Sequence, residues 1–146
     1  FHASRDMSPA ELEYQVYICA INGIRGILFW ASYPKAPGTF AKLSSLFGEI
    51  RQLVEPLISL EQVPAIQCNS EKVRFTVKKH NGFLYLITVN ESKEALQARF
   101  DLSELTGVKT AEVLFENRSV PVVQNCLEDR YDGLGRRVYR MILPYN

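Results

Sequence analysis

The chain has 146 residues, 47% of them apolar, and a formal net charge of +1. That suffices for one domain, or one domain with an appendage, and for a real core, so wholesale disorder is excluded. The near-neutral balance calls for neither nucleic acid nor an anionic membrane surface, and no apolar run approaches the ~20 residues of a membrane span.

In chain order, Ser8-Pro9-Ala10-Glu11 is a capping box with Pro at the first helical position. Leu12, Val16, Cys19 and Ala20 follow at helical spacing, flanked by Tyr17 and Ile21. Asn22-Gly23 supplies the stop, with Gly23 suited to a left-handed C-terminal conformation. Ile24 to Trp30 is then predicted as a short, almost wholly apolar strand, buried on both faces. The loop Tyr33 to Gly38, with Pro34 and Pro37, cannot be regular structure. Thr39 is predicted to cap a second helix. Its apolar face would be Phe40, Leu43, Phe47, Ile50, Val54 and Leu57, and Pro56 tells against a regular last turn.

Beyond about residue 62 the apolar period changes from 3.6 to 2. Val73, Phe75 and Val77 alternate with polar residues, and His80-Asn81-Gly82 carries a hairpin signal. Phe83 to Val89 is apolar on both sides. Leu96 to Leu102, Ala111 to Phe115 and Val138 to Leu143 complete the strands, with a weaker one at Val120 to Val123. Strands joined by short turns over this length predict a β-sandwich. The expected class is α+β: a helix-strand-helix segment over residues 1–61 and an antiparallel β-sandwich, immunoglobulin-like or similar, over 62–146.

The three cysteines, Cys19, Cys68 and Cys126, form no C-x-x-C pair, so neither a zinc nor a dithiol site is expected. Lys78-Lys79-His80 and Arg136-Arg137 read as solvated turn charges. His2 and His80 lack a metal-ligand pattern. Asp129, Asp132 and Gly133 resemble a fragment of a calcium loop without its full spacing, which makes a plain turn the better reading. Asn90-Glu-Ser92 and Asn117-Arg-Ser119 match the glycosylation sequon. No cofactor and no metal is expected.

Arg5, Glu11, Gln15, the Asn22-Gly23 stop and the run Ile24-Arg25-Gly26-Ile27-Leu28-Phe29-Trp30 resemble the last helix-strand-helix of clan-A-type glycoside hydrolases. Leu105-x-Gly107, Ala111 to Arg118 and Asp129 to Tyr139 are similar to the small sandwich that often follows such barrels. The resemblance implies that Ser8 to Asn22 is the seventh helix of a (β/α)₈ barrel, Ile24 to Trp30 the eighth strand and Phe40 to Ile58 the eighth helix. The chain would then be the C-terminal portion of a longer protein, a reading to which the Phe-His-Ala-Ser-Arg start, without Met or signal peptide, conforms. The family's two catalytic glutamates lie at the ends of the fourth and seventh strands, and the resemblance matches neither strand to this chain, so no catalytic residue is carried over.

Trp30 is the best site candidate. Barrel active sites sit at the C-terminal ends of strands, and the ring could stack on a sugar, with Tyr33 sharing that role. The expected function is a non-catalytic portion that braces a catalytic barrel, with a carbohydrate ligand as a further partner. The alternatives are a stand-alone carbohydrate-binding module and a protein-interaction module. An open strand in residues 1–61 would also favour homo-oligomers through that segment. Localisation is left open between cytoplasmic and secreted.

Overall fold

The computed structural model describes residues 7–24, 26 and 38–143. Two helices, α1 (Pro9–Ile21) and α2 (Thr39–Ile58), precede eight strands. These are β1 (Gln67–Cys68), β2 (Val73–His80), β3 (Phe83–Asn90), β4 (Leu96–Asp101), β5 (Thr110–Val113), β6 (Arg118–Val123), β7 (Cys126–Tyr131) and β8 (Arg136–Ile142). The expected strand at Ile24 to Trp30 lies largely outside the described residues, as do Trp30, Tyr33 and His2.

The capping box forms as expected. The Ser8 hydroxyl accepts from the Glu11 amide at 3.2 Å, and the Ser8 amide donates to the Glu11 carboxylate at 3.0 Å. Helix α2 departs from expectation at both ends. Its N-cap is Gly38, in the left-handed region at φ 77°, and Thr39 is its first residue. The helix also runs through Pro56 to Ile58, four residues after Gln52.

The strands form one antiparallel sheet in the order β1-β4-β7-β6-β5-β8-β3-β2. Where two separate sheets were expected, β6 pairs with β5 on one side and β7 on the other, and so joins the halves. The sheet curls into a near-barrel. Its halves share one core of Leu84, Leu86, Phe100, Leu127, Tyr139 and Met141, among others. Phe75 on the β2 edge meets Phe100 on β4 edge-on, with centroids 5.7 Å apart.

The apolar character of both faces of β3 has a direct cause. Leu84 and Leu86 point into the near-barrel, whereas Tyr85, Ile87 and Val89 point outward into a second cluster. That cluster is closed by Leu12, Val16 and Tyr17 of α1, Leu46 and Leu53 of α2 and Val138 of β8. The helices therefore lie on the outside of β2, β3 and β8. Each fully buried aliphatic or aromatic side chain there contributes roughly 1.5–3 kcal/mol.

Candidate functional site

Where the helices meet the sheet, the apolar cluster gives way to charge. Arg136, the first residue of β8, is only 7% exposed. Its guanidinium reaches Glu49 of α2 at 2.9 Å, Glu13 of α1 at 3.1 Å and Glu116 of the β5–β6 turn at 3.3 Å. The Nε contact to Glu13 is an ion pair without hydrogen-bond alignment. Tyr17 donates to the other Glu49 oxygen at 2.6 Å, and Lys42 reaches Glu13 at 2.8 Å. The rings of Tyr17 and Phe115 flank the guanidinium at 5.4 and 5.5 Å.

Phe115 holds this place at a backbone cost. Its φ of 69° is left-handed, which a bulky residue adopts only when its surroundings force it, at roughly 1–3 kcal/mol. The turn lets the ring stack on Arg136 while the next residue, Glu116, faces Arg118, Arg136 and Arg137.

A second polar chain enters the near-barrel. Thr88, Tyr131 and Tyr139 join hydroxyl to hydroxyl at 2.8 and 2.9 Å, and Tyr139 donates to Asp129 at 3.0 Å. Arg118 closes the chain with a two-pronged grip on Asp129, at 2.7 and 3.3 Å. Burial, before anything else, pushes the phenols of Tyr17, Tyr131 and Tyr139 well above their ordinary value. Burial works against the charge of Arg136, but Tyr17, Glu49, Glu13 and Glu116 outweigh it and hold the guanidinium above its usual range.

Glu13, Glu116, Arg136 and Arg137 also line a half-open cleft of about 300 Å³, bounded by Ala10 and the turn Asp132 to Gly135. That turn is seated tightly. A Cβ on Gly133 would fall 2.0 Å from the Lys93 carbonyl oxygen. Four carboxylates, Glu13, Glu49, Glu116 and Asp129, thus face four cations, Lys42, Arg118, Arg136 and Arg137. Such pairing suits fastening elements together more than shuttling protons.

The arrangement corrects the reading of Arg136-Arg137 as solvated turn charges. Both begin β8, and the Arg137 side chain is 15% exposed. Asp129 belongs to β7 and not to a turn. Asn90 is fully buried and its amide donates to the carbonyls of Glu94 and Asp132, so the first sequon is spent on structure, whereas Asn117 is exposed. Cys19 and Cys68 have thiols pushed up by burial, and Cys126 accepts from Arg99 at 3.0 Å. One signal in the sequence pointed to the cluster: Glu13 and Tyr17 share the face of α1 that buries Leu12, Val16 and Ala20, whereas Glu49 lies off the apolar face expected of α2.

No family model and no curated protein matches the chain. Solved structures do. A noncanonic maltogenic α-amylase from Thermotoga neapolitana superposes on 95% of the chain with a TM-score of 0.62 at 11% identity, over 38% of its own length. A GH30 endoxylanase from Clostridium papyrosolvens covers 94% of the chain, TM-score 0.57, 9% identity, over 39% of its length. An Anoxybacillus α-amylase covers 94%, TM-score 0.56, 12% identity, over 32% of its length. The chain thus spans about a third of each. At these identities the likeness is one of fold, and that fold is shared with glycoside hydrolases.

Proposed function

We propose that this chain is the non-catalytic C-terminal portion of a carbohydrate-active glycoside hydrolase. Residues 1–61 would belong to the end of its catalytic barrel, and residues 62–146, the curled antiparallel sheet, would form a domain that braces it. The observation that carries the reading is the commitment of one outer sheet face to two helices. Val89, Ile87 and Val138 seat them, and Arg136 fastens both through Glu13 and Glu49. Relation in fold to α-amylases and an endoxylanase supports the same reading. In the parent protein Trp30, with Tyr33, would stack on carbohydrate at the end of the eighth strand.

The test is hydrolysis of a panel of aryl glycosides by the purified chain, with polysaccharide binding measured in parallel. No turnover and no retention by polysaccharide is the expected result. Turnover that survives repurification and is lost when one of the chain's own carboxylates is replaced overturns it. Retention that is lost in Trp30→Ala would replace it with the carbohydrate-binding module.

A further inference from the structure

The helices and the sheet meet as two separately completed parts. Every strand pairing lies within residues 67–142, and among the described residues no backbone hydrogen bond links α1 or α2 to a strand. Side chains alone make the contact. Leu12, Val16 and Leu53 of the helices share one buried cluster with Ile87, Val89 and Val138 of β3 and β8, none of them more than 2% exposed. Beside this apolar centre lies Arg136, ion-paired to Glu13 of one helix and Glu49 of the other and flanked by the Tyr17 ring. An apolar centre with a desolvated arginine and an aromatic anchor is the anatomy of an interface between proteins.

The covalent link across that interface is slight. Residues 59–66 form no helix or strand. The Ser59 hydroxyl donates to the Lys79 carbonyl at 2.5 Å, and the Ala65 amide donates to the Glu104 carboxylate at 2.8 Å. Between these ties Leu60, Glu61, Gln62 and Val63 are exposed, Leu60 to 97%. A short tether holds two parts at an effective concentration on the order of millimolar without adding a contact between them.

We propose that the outer face of β3 and β8 is a docking surface in its own right, whose partner is a pair of amphipathic helices that brings one carboxylate from each helix to Arg136. Residues 7–58 are that partner in this chain, and the bond between Glu61 and Gln62 is dispensable to their binding. Charge complementarity selects the partner. A helix pair without acids at the places of Glu13 and Glu49 would leave the buried guanidinium with Glu116 alone. The inference does not rest on the proposed function, because its readout is association and not activity.

Limited digestion of the full chain with a glutamyl endopeptidase tests it, with circular dichroism to confirm the fold of each uncut variant. Glu61 stands in the exposed stretch, and residues 22–48 contain no glutamate, so the connection between the helices is spared. The first cut is expected after Glu61 and should be lost in Glu61→Gln. Denaturing mass spectrometry should then show residues 1–61 and 62–146 as separate peptides. Native size exclusion at about 10 µM should still show one particle of the parent's mass, with a dissociation constant below about 1 µM. The cut Arg136→Met should bind more than about tenfold more weakly, and the cut Arg136→Lys should fall between it and the parent. Halves that part at that concentration overturn the proposal, because the tether was then holding them. A first cut elsewhere, with the bond after Glu61 intact, overturns it as well. So does a cut Arg136→Met or Arg136→Lys that binds as tightly as the cut parent, since Arg136 then selects no partner.

Discussion

Arg136 is the residue on which the two layers of the molecule converge. It begins a strand, yet its guanidinium is buried under two helices and meets a carboxylate from each. Removing it leaves Glu49 beside an apolar cluster with Tyr17 as its remaining partner, while Glu13 keeps Lys42, and breaking one side of a buried ion pair costs about 3–5 kcal/mol. Arg136→Met should therefore lower stability by that order in urea denaturation. Lysine at the same place would reach one carboxylate and not three, so Arg136→Lys should recover only part of the loss. A stability within about 0.5 kcal/mol of the parent for Arg136→Met would mean that the cluster holds nothing together.

At the scale of the element, the two aromatic rings that meet between β2 and β4 are not equal. Phe100 is fully buried, and Phe75, on the edge strand, is only partly so. Phe100→Ala should cost about 3–5 kcal/mol, and Phe75→Ala distinctly less, because part of its surface is wet in the folded state. Equal losses in denaturation would show that the β2 edge is as closed as the centre of the sheet. In α2, Gly48→Ala should stabilise the helix by about 1 kcal/mol, since the space is open and the backbone is helical. Thermal unfolding of that variant decides it. The helix also shows how a correct element can be rotated from its expected face. Of the expected face, Phe40, Leu43, Phe47, Ile50, Val54 and Leu57, three residues, Leu43, Ile50 and Leu57, pack partly buried against the helix–sheet cluster. The buried row, Thr39, Leu46, Glu49, Leu53 and Pro56, runs one position behind it. Apolar residues line more than half of its circumference, and the choice between seams fell to Tyr17 and Arg136, which hold Glu49.

For the whole molecule, the buried phenols set a limit on the alkaline side. Tyr17, Tyr131 and Tyr139 have folded pKa values raised above the ordinary 10.0. Between the unfolded and folded values the unfolded chain has lost these protons and the folded chain keeps them. Stability is therefore complete below about pH 10 and falls as pH climbs beyond it. Urea midpoints should be flat from neutral pH to about 9 and then decline, with phenolate absorbance appearing only as the chain unfolds. Tyr17→Phe should lower the plateau, because it removes the donor to Glu49, and should also make the alkaline decline shallower. A decline of unchanged steepness would mean that Tyr17 does not contribute to it.

The elements whose cause lies within a few residues were legible in the sequence. Ser8 to Glu11 sets a helix start because cap and donor are three residues apart. Asn81 and Gly82, at φ 50° and 77°, make the β2–β3 turn because asparagine tolerates the left-handed region and glycine, without a Cβ, adopts it freely. The alternation in β2 and β4 is likewise local. Strand β7 was missed because its inward row, Leu127, Asp129 and Tyr131, has a carboxylate in the middle, and only Tyr139 and Arg118 on neighbouring strands make that position tenable. The joining of both halves by β6, the buried face of α2 and the burial of Arg136 were decided by the tertiary structure. Glu49 and Arg136 lie 87 residues apart. Neither carries a local mark of its partner, and a lone charge in a sequence reads as solvated until packing has taken the water away.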